Sequence, residues 1–116
     1  MLRYIYIASP YRLGDVAVNV KTSMDCCDDL ITRGYSPFCP LLSHFLHLNR
    51  PRPERDWLDF DLDWLRRCDA ILRLPGKSAG ADAEVATAED IGMPVFYSIE
   101  ALEEANNDGR YDFQEE

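Results

Sequence analysis

Residues 4–16 read YIYIASPYRLGDV and predict a strand, a polar turn and the start of a helix in direct succession. The run 4–8 consists mainly of β-branched and aromatic residues, which favour strands. Asp15 is a typical helix N-cap, and apolar residues follow it at helical spacing until Gly34 ends the pattern. We therefore predict a strand at 4–8 and a helix at 16–33.

The same order of strand, turn and helix recurs along the rest of the chain, with glycine and proline between the segments. The other predicted strands are 35–39, 70–74 and 94–97. The other predicted helices are 54–67, 81–91 and 99–105. Residues 41–53 are predicted to form a loop with a short helical turn. This alternation predicts a single-domain α/β fold, Rossmann- or flavodoxin-like, with a parallel sheet of four or five strands and helices on both faces. We expect the domain to span residues 1–105 and residues 106–116 to form a polar C-terminal tail.

The composition limits the classes of function. The 116 residues include 12 basic and 21 acidic ones, and the resulting formal net charge of −9 disfavours sequence-independent binding to nucleic acids, whose phosphates require a basic surface. No apolar run approaches the roughly 20 residues of a membrane span, and the sequence shows no signal-peptide pattern. The four cysteines lack C-x-x-C spacing, which favours reduced thiols over a zinc site or disulfides. We therefore expect a cytoplasmic protein that acts on a small molecule and binds neither a nucleic-acid polymer nor a membrane.

Two acidic residues interrupt the apolar stripes of predicted helices. On ideal helical wheels, Asp61 falls within the stripe of helix 54–67, and Glu84 falls within the stripe of the helix that follows the third strand. A carboxylate in such a position is costly unless it is paired. In a purely structural interpretation, Asp61 would accept from backbone amides and Glu84 would pair with Arg12 or Lys77. We favour a functional site, because perturbed carboxylates cluster at such sites.

Two carboxylates in different environments suit the cleavage of a glycosidic bond. One attacks or stabilises the anomeric carbon, and the other transfers protons at the leaving group. Residues 76–80, GKSAG, precede a predicted helix and offer backbone N–H groups, a hydroxyl and a helix N-terminus, a combination that binds anions. This loop matches neither a Walker motif nor G-x-G-x-x-G.

Four segments together carry a family pattern. They are YIASP at 6–10, DLDWL at 61–65 with CDA at 68–70, SAGADAE at 78–84 and GMPV at 92–95. With them the chain resembles the nucleoside 2-deoxyribosyltransferase superfamily, which includes the 2′-deoxynucleoside 5′-monophosphate N-glycosidases. The resemblance covers about residues 4–97, and its best landmark is S-x-G-x-x-x-E at the start of a helix.

The resemblance implies a role for each matching residue. Glu84 matches the catalytic nucleophile, which forms a glycosyl ester, Asp61 matches the acid near the nucleobase and sugar, and Tyr6 matches a tyrosine that helps to place the nucleophile. Transferases of free nucleosides usually carry an acid at the position of Ser78, whereas the monophosphate glycosidases carry serine, whose hydroxyl can bind a 5′-phosphate. The implied substrate-binding residues are Ser9, Arg12, Ser78 and Gly80.

The function implied by the resemblance is cleavage of the N-glycosidic bond of a nucleoside or (deoxy)nucleoside 5′-monophosphate, by hydrolysis or deoxyribosyl transfer. This chemistry needs no cofactor and no metal. Because relatives complete their sites with a neighbouring subunit, we also expect a homodimer or a larger homo-oligomer. The alternative is a non-catalytic nucleotide-binding sensor or interaction module on the same scaffold.

The chain also departs from the family pattern. Residues 9–12, SPYR, replace a glycine-serine pair that the glycosidases tend to have, and His44 and His47 lie in a segment without a family counterpart. For these two histidines we expect base stacking or plain packing rather than a metal site. Trp57 and Trp64 are predicted to be core residues of helix 54–67.

Overall fold

The computed structural model describes residues 1–112, in which four strands form one parallel sheet. The strands are β1 (Tyr4–Ala8), β2 (Ser36–Phe38), β3 (Ala70–Arg73) and β4 (Val95–Phe96), and the helices are α1 (Val16–Thr32), α2 (Ser43–Asn49), α3 (Glu54–Leu65), α4 (Ala79–Asp90) and α5 (Ile99–Asn107). A 3-10 turn at Pro40–Leu42 leads into α2. The strand order is β2-β1-β3-β4, with every neighbouring pair parallel. The predicted α/β fold class is confirmed.

Each face of the sheet carries its own apolar core, because successive strand residues point to opposite faces. Helices α1 and α5 cover one face, and α3 and α4 cover the other. The first core includes Ile5, Ile7, Leu30, Leu72 and Leu102, and the second includes Tyr6, Ala8, Leu65, Ile71, Ala81 and Ala88. Burial on both faces is typical of a central strand in a parallel sheet. Tyr6 therefore lies on the face that α3 and α4 cover, the helices that carry Asp61 and Glu84.

Helices α1 and α5 begin at side-chain N-caps, and the cap of α1 is the predicted Asp15. The Asp15 carboxylate accepts hydrogen bonds from the backbone N–H groups of Ala17 and Val18 at the start of α1. The Ser98 hydroxyl accepts one from the backbone N–H of Ala101 at the start of α5. Each cap satisfies N–H groups that have no partner within the helix.

Other element ends differ from the prediction. Helix α4 begins at Ala79 rather than at residue 81, because the Ser78 hydroxyl accepts from the Ala81 N–H and caps the helix. Helices α1 and α3 end one and two residues before the predicted ends, and β2, β3 and β4 are shorter than predicted. The segment predicted as a loop with a helical turn contains the 3-10 turn and the complete helix α2.

The C-terminal helix extends further than predicted. It continues to Asn107, and the Asn106 side chain accepts from the Leu2 N–H and donates to the Leu2 carbonyl. These two bonds hold α5 next to the start of β1. Residues 113–116 of the predicted tail lie outside the described residues. Among the helices within residues 1–112, none combines the length and the apolar character that a membrane crossing requires.

The prediction that Trp57 and Trp64 are core residues is wrong. The Trp64 side chain is 45% exposed, and its ring stacks on that of Phe38 at a centroid distance of 5.5 Å. Trp57 is half-buried and lines a cleft. Only Leu65, at the end of α3, is fully buried among the residues of this helix. Helix α3 therefore meets the sheet core at its C-terminal end, and its N-terminal half faces the cleft.

Candidate active site

A cleft of about 630 Å³ lies at the carboxyl edge of the sheet. The segments that follow β1, β2 and β3 line it together with α3 and the start of α4. Because β1 lies between β2 and β3, the segments that follow those two strands face each other across the end of β1. Open parallel sheets bind their ligands at this edge, and the volume is within the range of small-molecule sites.

A close contact joins two of the loops that form the cleft. Gly76 has a φ of +116°, and a Cβ on it would lie 2.8 Å from Cγ of Pro10. Only glycine fits this backbone conformation without strain. The contact therefore holds the loop after β3 against the loop after β1.

Glu84 is a buried carboxylate with one well-defined partner. Its side chain is 8% exposed, and the fully buried Tyr6 hydroxyl donates to its Oε2 over 2.5 Å. Burial raises the pKa of Glu84 to about 7, although the Tyr6 hydrogen bond and the Arg73 charge act in the opposite direction. Burial and the Glu84 charge raise the pKa of Tyr6 far above its ordinary range, so the phenol stays protonated and donates. Within residues 1–112, Glu84 forms no salt bridge with Arg12 or Lys77, and Arg12 pairs with Glu54 instead.

Asp61 is half-buried on the wall that α3 contributes to the same cleft. Its Oδ1 is buried and has no hydrogen-bond partner within residues 1–112. Burial raises the pKa of Asp61 to about 7, and the Glu84 charge contributes to the rise. A buried carboxyl oxygen without a protein partner is costly, so it is poised for a ligand group.

The N-terminus of α4 forms another part of the cleft. Ser78 and Gly80 line it, next to the exposed Lys77. Ser9, from the loop after β1, is buried there, and its Oγ has no hydrogen-bond partner within the described residues. Arg12 reaches the rim, where its guanidinium pairs with Glu54 at 2.8 Å in an exposed ion pair. Six of the seven sequence-predicted residues thus line one cleft, and the seventh, Tyr6, is fully buried beside it and contacts Glu84.

Sequence reasoning missed Arg73, the last residue of β3. Its side chain is buried and donates to the carbonyls of Leu74 and Gly76 and, at 2.9 Å, to Oδ1 of Asp82. The guanidinium therefore supports the loop before α4 and lowers the pKa of Glu84 by its charge. A signal was present in the sequence, because Arg73 is the single charged residue in the apolar run 70–74.

The two histidines of α2 also line the cleft. The Tyr11 hydroxyl and Nδ1 of His44 are hydrogen-bonded at 2.6 Å. Nδ1 of His47 accepts from the Trp57 indole N–H at 2.9 Å and from the Arg52 backbone N–H at 3.2 Å. Both rings are thus fixed by neighbours on the surrounding segments.

Comparisons with known proteins agree with the fold. The sequence model of the family described as Domain of unknown function (DUF7768) matches residues 3–98. No curated protein matches the chain. A solved structure of a 2-deoxyribosyltransferase from Bacillus psychrosaccharolyticus is similar, with a TM-score of 0.54, 24% identity and coverage of 79% of this chain and 69% of that chain. This likeness shows that the two proteins share a fold.

Proposed function

We propose that this chain, which belongs to the family described as Domain of unknown function (DUF7768), cleaves the N-glycosidic bond of a nucleoside or nucleoside 5′-monophosphate. The observation that carries the proposal is the buried Glu84, held by the Tyr6 hydroxyl, in a cleft that also holds Asp61. The shared fold with a 2-deoxyribosyltransferase supports a nucleoside as the class of substrate.

In the proposed first step, Glu84 attacks the anomeric carbon of the sugar. Because the Tyr6 hydroxyl donates to Oε2, the other carboxylate oxygen is the one available for attack. The new C–O bond forms as the C–N bond breaks, and the electron pair of the broken bond leaves on the base. Transfer of the Asp61 proton to the base neutralises that charge as it develops.

The environments of the two carboxyl groups indicate which of them holds a proton at neutral pH. With both pKa values near 7, the pair holds about one proton at neutral pH. The Tyr6 hydroxyl and the Arg73 charge favour the ionised form of Glu84, whereas Oδ1 of Asp61 has no such donor within the described residues. We assign this proton to Asp61, because the charge of Glu84 raises the pKa of Asp61 and the Tyr6 hydroxyl donates to the Glu84 carboxylate, which makes Glu84 the nucleophile and Asp61 the acid.

The second step releases the sugar from the glycosyl ester. Asp61, ionised after the first step, takes a proton from water or from a second base as that nucleophile attacks the anomeric carbon. The ester C–O bond breaks, and its electron pair returns to Glu84. Hydrolysis and deoxyribosyl transfer thus differ only in the incoming nucleophile, and neither requires a cofactor.

The start of α4 is the proposed site of the 5′ end of the substrate. Donors for a 5′-hydroxyl or a 5′-phosphate are the Ser9 hydroxyl, which has no partner within residues 1–112, the Ser78 hydroxyl and the N–H groups near Gly80. Arg12 adds a positive charge at the rim, and because its ion pair with Glu54 is exposed, exchanging that partner for a phosphate costs little.

Release of free base tests the proposal directly. A panel of nucleosides and their 5′-monophosphates is incubated with the protein, and the base is followed by chromatography. Glu84→Gln keeps the acceptor for Tyr6 but removes the nucleophile, so we expect a loss of several orders of magnitude in kcat. The exposed Glu89 on the same helix supplies the control, and Glu89→Gln should retain full activity. A folded Glu84→Gln protein with normal turnover would exclude the mechanism, and nucleotide binding without base release would favour the sensor.

A further inference from the structure

The end of the cleft next to α2 differs chemically from the end at α4. Flat or apolar side chains dominate it, namely those of Pro40, Leu41, His44, His47, Trp57 and Leu58. Arg52 and Glu54 are the charged residues of this rim, and each has a partner in the ligand-free protein: Arg52 lies 3.6 Å from Asp56, and Glu54 pairs with Arg12. Such a surface suits a flat heterocycle better than a charged group.

The hydrogen bonds of His47 define where its proton lies. The Trp57 indole N–H and the Arg52 backbone N–H can only donate, and both point to Nδ1 of His47. Nδ1 must therefore be unprotonated, and the proton of the neutral ring is on Nε2. Since these two donors occupy Nδ1, Nε2–H is the ring donor left for a ligand, and His47 lines the cleft.

We propose that His47 reads the nucleobase and selects oxo bases over amino bases, an inference that rests on the nucleoside chemistry proposed above. The exocyclic oxygen of hypoxanthine, guanine, uracil or thymine accepts from Nε2–H. This contact is to position 6 of a purine or position 4 of a pyrimidine, where the amino group of adenine or cytosine presents a second donor and leaves both N–H groups without a partner.

The position of Asp61 is consistent with a base at this end. It follows Trp57 by one helical turn on α3, so the two side chains lie next to each other along the same wall of the cleft. A base held beside Trp57 and His47 therefore has the proposed proton donor at its glycosidic side.

Titration calorimetry with free bases tests the inference without any turnover, because a free base has no glycosidic bond to cleave. Hypoxanthine and adenine form a matched pair of purines. Uracil and cytosine form a matched pair of pyrimidines, which tests a pocket that accepts only the smaller bases. We expect the wild-type protein to bind the oxo member of at least one pair about tenfold more tightly, the effect of one hydrogen bond gained or lost in a closed site.

Three variants identify the group responsible. His47→Phe keeps a flat ring but lacks the donor, so the ratio of the two dissociation constants should fall to about one, whereas His47→Gln, with an amide N–H, should restore part of it. Asn49→Ala, at the exposed end of the same helix, should leave the ratio unchanged. Nitrogen-15 chemical shifts of the His47 ring report the tautomer directly and should show Nε2–H in the ligand-free protein.

These results test the role of His47 separately from the proposed enzymatic function. Equal affinities in the wild type, a preference for the amino base, no binding of any base, or unchanged discrimination in a folded His47→Phe protein would overturn it, as would a proton on Nδ1. Selective binding of oxo bases without release of base from any nucleoside would uphold the role of His47 and contradict the enzymatic proposal instead.

Discussion

Glu84 and Tyr6 lie 78 positions apart in sequence, yet the Tyr6 hydroxyl is the hydrogen-bond donor that holds the Glu84 carboxylate. The helical wheel identifies Glu84 as a carboxylate on an apolar face, because a wheel depends only on the sequence of one helix. The identity of its hydrogen-bond partner depends on how α4 packs over β1, and local sequence patterns do not determine that packing. For Tyr6 the signal was the family resemblance and not the residues themselves.

Removing the Tyr6 hydroxyl should shift the pH dependence of the reaction. Its hydrogen bond lowers the pKa of Glu84, so in Tyr6→Phe that pKa rises, and the acid limb of the kcat/KM profile moves to higher pH. We expect a loss of about tenfold or more at pH 6 and a smaller loss at pH 8. Tyr4→Phe, at an exposed position of the same strand, is the control. An equal loss at both pH values would show that Tyr6 has only a structural role.

The burial of Glu84 should also be measurable as stability. Its folded pKa of about 7 exceeds the ordinary value of 4.5, so the folded protein binds the proton more tightly than the unfolded chain. The stability that this proton provides is complete below about pH 4.5 and is lost as the pH rises through about 7.

Glu84→Gln mimics the protonated form at every pH. We expect it to unfold with a free energy about 3 kcal/mol higher than the wild type at pH 8 and nearly the same at pH 4. Denaturant titrations at the two pH values measure this, with Glu89→Gln as the exposed control. A difference that does not change between pH 4 and pH 8 would refute the raised pKa.

At the scale of elements, Arg73 connects a strand end to the loop that positions α4. Two of its bonds go to backbone carbonyls in the loop, and the third goes to Asp82, whose side chain is 71% exposed. In Arg73→Met, which keeps the apolar volume, we expect a loss of about 2–3 kcal/mol in the free energy of unfolding. In Asp82→Asn, which removes only the exposed partner, we expect less than about 1 kcal/mol. Equal losses in the two denaturant titrations would place the contribution of Arg73 in the ion pair instead of the loop.

The N-terminus of α4 should discriminate between substrates by charge. A 5′-phosphate there would gain the helix dipole, the Ser9 and Ser78 hydroxyls and the nearby positive charges of Arg12 and Lys77. We expect kcat/KM to favour a monophosphate over its nucleoside at least tenfold, since each charge-assisted bond is worth roughly 1.5–3 kcal/mol. Ser78→Asp should reverse the preference, because aspartate can still cap α4 but repels a phosphate. Ser98→Asp, at the cap of α5, is the matched control, and equal wild-type values would contradict phosphate recognition.

The elements differ in how far sequence could predict them. Helices α1 and α5 carry their own N-caps and apolar spacing, so local signals suffice for their starts. Helix α2 has no side-chain cap and no buried residue, and contacts such as that between His47 and Trp57 on α3 hold it in place. Its existence therefore depends on tertiary packing. The tryptophans of α3 also depend on tertiary packing: Trp57 lies in the N-terminal half, which faces the cleft, and Trp64 stacks on Phe38 and remains 45% exposed.

At the scale of the whole molecule, the outer side of α2 is unusually apolar for a surface. Phe45, Leu46 and Leu48 are each more than half exposed, and Leu42, in the preceding turn, is 44% exposed. Grouped apolar side chains of this kind mark surfaces that other proteins cover. His44 and His47, on the adjoining side of the same helix, line the cleft. A contact on the outer side of α2 would therefore stabilise one wall of the cleft.

We expect a symmetric homodimer in which the outer side of α2 forms the contact. The net charge of −9 on each chain opposes association, so added salt should strengthen the dimer by screening that repulsion, while the apolar contact remains. Light scattering at micromolar concentration, at low and moderate salt, measures both effects. Phe45→Asp combined with Leu48→Asp should yield monomers with reduced kcat/KM, because the wall that holds His47 loses its support. The same double change at exposed apolar positions elsewhere, Val18→Asp with Ile31→Asp on α1, should leave the dimer intact. A wild-type monomer with full activity would show that a single chain completes the cleft.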